Sequence, residues 1–92
     1  MRIDNIKRII IEMKNYYDYE ETCGGCPTIF EFQDKDGHKL YFHLRHGYWR
    51  LYDETTNEVL ASGSSNKHDG ICDWDEALEM MKDEGVYFEF DE

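Results

Sequence analysis

Two spacings of apolar residues divide the chain. Over residues 3–17, Ile3, Ile6, Ile10, Met13 and Tyr17 recur three and four apart, with Lys7, Arg8, Glu12 and Lys14 on the polar side. A stripe at that spacing predicts an amphipathic helix, with Asp4 as its capping residue. The acidic run 18–21 and the pair Gly24-Gly25 are expected to end it, and Pro27 forces an extended backbone on the residue before it. From Thr28 the period falls to two. Phe30 and Phe32 alternate with Glu31 and Gln33, which predicts a strand. Asp36-Gly37 marks a hairpin connection, after which Leu40, Phe42 and Leu44 alternate with Tyr41, His43 and Arg45. His46-Gly47 makes a short turn into a third strand, with Trp49 and Leu51 on one face and Tyr48, Arg50 and Tyr52 on the other. Residues 53–58 suit a hairpin loop, and 59–61 resume a strand.

Residues 62–70 are rich in Ser, Gly and Asn and predict a loop. A second helix is expected from Asp73, which with Glu76 forms a D-x-x-E capping box. Trp74, Ala77, Leu78 and Met81 supply its apolar stripe, and Gly85 the left-handed residue past its end. Val86, Phe88 and Phe90 then alternate with Tyr87 and Glu89 as a last strand. The expected fold is α+β, one domain over 1–92. Its antiparallel meander sheet has helices packed on one face, in the order α-β-β-β-β-α-β. The covered face would hold Phe30, Phe32, Leu40, Phe42, Leu44, Trp49, Leu51, Phe88 and Phe90.

Composition sharpens this picture. Of 92 residues, 40% are hydrophobic and 15% aromatic, enough for a compact core and too apolar for a disordered chain. No apolar run is longer than Ile9-Ile10-Ile11, far short of the roughly 18 residues that cross a bilayer. The early residues lack the apolar stretch of a secretory signal, and three cysteines are an odd number for a disulfide framework. Both features point to the cytoplasm, with no membrane partner.

Charge changes the picture most. Twenty-one acids against ten Lys and Arg give a net charge of −11, which opposes direct contact with nucleic-acid phosphates. The distribution says more than the sum. Residues 37–52 hold Lys39, Arg45 and Arg50 and no acid, whereas residues 69–92 hold ten acids and one base, Lys82. Acids at a helix start suit the macrodipole, so Asp73, Asp75 and Glu76 have a local reason to be there. Asp83 and Glu84, near the other end, run against it. A dense row of carboxylates can imitate phosphates and occupy a basic groove.

The first expectation is therefore a non-enzymatic acidic protein that inhibits a basic nucleic-acid-handling partner by mimicry, through Asp73, Asp75, Glu76, Glu79, Asp83 and Glu84. Phage-encoded anti-CRISPR and DNA-mimic inhibitors, and bacterial immunity proteins for nuclease toxins, are comparable in size and charge. The alternative is a small regulatory domain that binds a protein or small ligand through Tyr41, His43, Arg45, Tyr48, Arg50 and Tyr52. Tyr and Arg are enriched in binding hot spots, although cross-strand Tyr–Arg pairs also simply stabilise an open sheet.

Candidate chemistry centres on Cys23-Gly24-Gly25-Cys26. This C-x-x-C turn, completed by His68 and Cys72, could supply four zinc ligands. A redox dithiol would sit between a strand and a following helix, the reverse of the order expected here. The plainer reading is a Gly-Gly turn flanked by ordinary small side chains. No nucleotide-binding loop, nucleophile elbow or dinucleotide fingerprint occurs, so no catalytic residue is expected.

Overall fold

A computed structural model describes residues 8–25, 27–65 and 67–91. The fold is α+β and mostly sheet. Strands β1 (Ile9–Met13), β2 (Tyr19–Gly24), β3 (Thr28–Gln33), β4 (Lys39–Arg45), β5 (Tyr48–Asp53) and β6 (Glu58–Ser64) precede one helix, α1 (Trp74–Asp83), and a last strand, β7 (Val86–Phe90). Strands β2 to β6 form a five-stranded antiparallel meander in chain order, and β1 pairs in parallel with β7 as a separate two-stranded sheet.

The meander follows from its alternation and its turns. At the β4–β5 turn, His46 and Gly47 both take positive φ, 54° and 75°. That pair of values defines the two-residue turn whose twist matches the flanking strands. It fixes the register Arg45↔Tyr48, His43↔Arg50 and Tyr41↔Tyr52. Phe30, Phe32, Leu40, Phe42, Leu44, Trp49 and Leu51 are consequently all buried on one face. Strand β6 runs on to Ser64, three residues past the expected end, because Gly63 lies opposite Trp49. A side chain at Gly63 would meet Trp49 Nε1 at 2.7 Å and Glu84 Cγ at 2.9 Å. Only glycine lets the helix end and the indole approach the strand so closely.

Helix α1 begins as its sequence predicts. Asp73 accepts from the Glu76 N–H at 2.8 Å and Glu76 accepts from the Asp73 N–H at 2.9 Å, closing the capping box. Gly85, at φ 90°, turns the chain out of the helix. Trp74 is the hub of the core. It stacks on Tyr19 with ring centroids 4.4 Å apart and meets Phe30, Phe32 and Phe88 edge-on. Its Nε1 donates to the Tyr16 carbonyl at 3.0 Å. Buried Thr28 ties the following loop to the sheet, donating to the Gly70 carbonyl at 2.8 Å and accepting from the Cys72 N–H at 3.3 Å.

Three expectations need correction. The helix over 3–17 is absent where the structure describes it: residues 9–13 are strand β1, while Asp4 and residues 1–7 lie outside the described residues. Ile9, Ile11 and Met13 also alternate, and β-branched Ile is at home in a strand that finds a partner. That partner is β7, in the register Ile9↔Val86 to Met13↔Phe90. The acidic stretch expected to end the helix is itself strand β2, whose inward Tyr19 packs on Trp74. Finally, Phe88 and Phe90 do not extend the meander. They belong to the β1–β7 ribbon, which together with α1 covers the buried face. The ribbon is fastened to the β3–β4 hairpin by the Lys35 N–H, which donates to the Glu12 carbonyl at 2.8 Å, and by Lys35 Nζ, 3.4 Å from Asp91.

Candidate functional site

Three sets of residues compete, and the fold treats them differently. The acids of α1 come together. Trp74, Ala77, Met80 and Met81 are turned into the core, which leaves the acids of residues 73–84 on the solvent side. Asp73 and Glu76 are engaged in the capping box, and Asp75 accepts a hydrogen bond from the Tyr16 hydroxyl. That bond, with desolvation and the carboxylate's charge, pushes the Tyr16 phenol up. Glu76 also lies 3.8 Å from His68 Nε2. Glu79, Asp83 and Glu84 make no ion pair among the described residues. A helical rise of about 1.5 Å per residue spreads residues 73–84 over roughly 18 Å. Six carboxylates less Lys82 leave five negative charges there, about one per 3.6 Å, close to the ~3.4 Å spacing of charges along one DNA strand.

The open face of the meander also assembles as the alternation predicts. Tyr41, His43, Arg45, Tyr48, Arg50 and Tyr52 form three facing pairs across β4 and β5. Tyr41 lies 5.7 Å from Tyr52 and stacks over His43 at 6.3 Å, and Arg50 Nη1 donates to the Tyr52 hydroxyl at 3.4 Å. Tyr48, at 66% exposure, stands out to solvent with Arg45 and Arg50, whereas Tyr41, His43 and Tyr52 are half-buried. Desolvation, then Arg45 and Arg50, lowers the His43 pKa, so the ring is held neutral.

The proposed zinc ligands are not gathered. Cys26 lies outside the described residues. Cys23 stands opposite Ile29, in the row of His43 on the open face. Cys72 is on the other side of the sheet, buried behind Thr28. The sheet therefore lies between two cysteines that the sequence suggests could meet. Burial pushes the Cys72 thiol up to about 12, with Glu76, Asp73 and Glu21 adding to the effect. A thiol held protonated is a poor ligand, and the described members of the set do not fit a zinc site.

One titratable cluster went unnoticed in the sequence. Among the described residues, Asp34, Asp36 and His38 bring three possible ligand atoms together in the β3–β4 turn. Asp34 already uses both oxygens there. It accepts from the Asp36 and His38 N–H groups at 2.9 Å and holds His38 Nδ1 at 3.0 Å. This cluster locks a turn. The spacing D-x-D-G-H was the available signal for it.

Compared with known families, curated proteins and solved structures, the chain matches none of them. Among the described residues, no helix is long and apolar enough to cross a membrane.

Proposed function

We propose that this chain is a non-enzymatic acidic binding protein that inhibits a basic, nucleic-acid-handling partner, with α1 presenting carboxylates in place of phosphates. The observation that carries this reading is the density of charge along α1, five net negative charges over roughly 18 Å on the solvent side of a helix. Helix stability does not account for it. Asp83 and Glu84 sit at the C-terminal end, where the macrodipole disfavours acids by about 0.3–1 kcal/mol each. Such a role corresponds to that of phage-encoded anti-CRISPR or DNA-mimic inhibitors and of nuclease immunity proteins, and it places the protein in the cytoplasm beside its partner.

Immobilised protein incubated with host lysate at two salt concentrations tests the reading. Captured proteins should be fewer at high salt, since exposed charges are screened within about 8–10 Å at physiological ionic strength. Added duplex or single-stranded nucleic acid should release them. The combined variant Glu79→Lys, Asp83→Lys and Glu84→Lys should lose most of the captured material.

The second reading, a regulatory domain docking through the open sheet face, is favoured by the exposure of Tyr48 within a continuous Tyr/Arg patch. Under that reading Tyr48→Ala with Arg50→Ala abolishes capture and the charge reversals leave it intact. That pattern would sink the mimicry proposal.

A further inference from the structure

The five-stranded sheet ends in two edges of opposite character. Edge strand β2 carries Glu20 and Glu21 and an irregular register between Glu21 and Cys23, features that deter a further strand from adding. Edge strand β6 has a single charge, Glu58 at its start, followed by Val-Leu-Ala-Ser-Gly-Ser. Its register slips once, opposite Leu51 and Tyr52, and is regular from Ala61 to Ser64. Among the described residues, none of 58–64 makes a backbone hydrogen bond outside the ladder with β5. The outer row of N–H and C=O groups on 61–64 is a free template for another strand.

A charged cleft adjoins this edge. It has a volume of about 420 Å³ and lies between the end of β6 and α1, with Ser64, Lys67 and His68 on one wall and Glu76, Glu79 and Asp83 on the other. His68 faces Glu76 at 3.8 Å, which leaves Glu79 and Asp83, with Lys67 at the rim, outside any ion pair among the described residues; the cleft's unpaired charge is net negative. The helix end passes directly over the strand, with Glu84 Cγ only 2.9 Å from where a Gly63 Cβ would stand.

We infer that β6 is a docking edge for an extended basic segment of the partner, which adds as a sixth strand along 61–64 and sends Lys or Arg into the cleft beside Glu79 and Asp83. The inference rests on the acidic reading proposed above and adds where the partner's main chain lies. Side chains of an added strand alternate between the two faces. Those on the helix side meet carboxylates and are basic. Those on the open side lie beyond Ser62 and Ser64, toward Arg50, and are uncharged. A second copy of this chain is a poor occupant. Pairing β6 with its own copy about a two-fold axis would bring two acidic helices to the same side of the joined sheet.

An eight-residue peptide of alternating Lys and Val is the probe, read by amide chemical shifts of isotope-labelled protein. Shifts should concentrate on Ala61–Ser64 and on Glu79 and Asp83, and a peptide with four Lys followed by four Val should bind at least tenfold more weakly. A strand offers alternate amides to each of its two neighbours. N-methylation of every Lys or of every Val should therefore weaken binding tenfold or more in one frame and leave it nearly unchanged in the other. No binding of the alternating peptide, or equal effects of the two methylation frames, overturns the inference. If binding lacks a frame preference yet is lost in Glu79→Gln with Asp83→Asn, the edge is wrong and the acidic reading stands. If binding is indifferent to both acids, the acidic reading falls and the edge inference with it.

Discussion

Tyr41 and Phe42 are neighbours on β4, and they live under different rules. Phe42 is sealed against Phe30 and Trp49 beneath the helix and the ribbon, fully buried. Tyr41 lies half-buried on the uncovered face, beside Tyr52 and His43 and across from Glu31. The same contrast runs the length of β3, β4 and β5. Close packing sets every position on one face, whereas cross-strand pairs set the other. Substitutions on the covered face therefore report on folding, and those on the open face are free to report on binding.

The sharpest way to break this comparison is to truncate both neighbours. Phe42→Ala should cost about 3–5 kcal/mol, a large share of the stability of a domain this small. Tyr41→Ala should cost about 0.2–1 kcal/mol, the worth of a cross-strand pair. Urea unfolding curves with unchanged slope give both numbers, and equal losses would show that the two faces are not different in kind.

The next pair lies on β6. Gly63→Ala drives a methyl into Trp49 and Glu84, and overpacking of that sort costs about 1–3 kcal/mol. Ser62→Ala, one residue earlier and exposed, should stay within about 0.5 kcal/mol. Thermal melts of the two variants separate them. A Gly63→Ala protein that melts with the parent would mean the helix end does not press on the strand.

The smallest effect is on pH. The Asp34 hydrogen bond and charge raise the His38 pKa, and desolvation with Arg45 and Arg50 lowers that of His43. Burial alone would raise Asp34, but the His38 backbone and ring and the Asp36 N–H outweigh it and lower the carboxyl. His38 therefore contributes stability below about pH 6.5 that is lost as pH rises through its folded value. Asp34 contributes above about pH 4, and its share is lost as the pH falls through its lowered value. His43 has the opposite sign to His38. Its neutral form suits the folded sheet, so its contribution is present above about pH 6.5 and lost on acidification. Histidine titration by NMR should place the His38 midpoint above that of His43. The reverse order would show that the open face does not desolvate His43.

The open-face patch and the acidic helix are both legible in the sequence. Strict alternation from Thr28 to Tyr52, with a two-residue turn between β4 and β5, leaves one register in which Phe42 and Leu44 are buried. The capping box at Asp73 and the apolar positions Trp74, Ala77 and Met81 likewise decide which helix positions face solvent. The zinc set was not decided locally. Cys23 and Cys72 are far apart in the chain, and a sheet placed them on opposite faces. The docking edge was equally hidden, because whether a strand lies at an edge is a property of the whole sheet.

What residues 28–53 and 73–85 of this protein become, the sequence determines by itself. Their hydrophobic periods are unambiguous and their partners lie next to them in the chain. Residues 9–24 were decided by tertiary structure. Ile9, Ile11 and Met13 suit a strand, and Ile10, Met13 and Tyr17 suit a helix, so local preference was balanced. The balance was settled by β7, more than seventy residues away, whose backbone supplies the hydrogen bonds that only a strand can accept. Strand β2 is too acidic to alternate visibly, and it becomes a strand because Trp74 offers Tyr19 a ring to stack on and β3 offers a free edge.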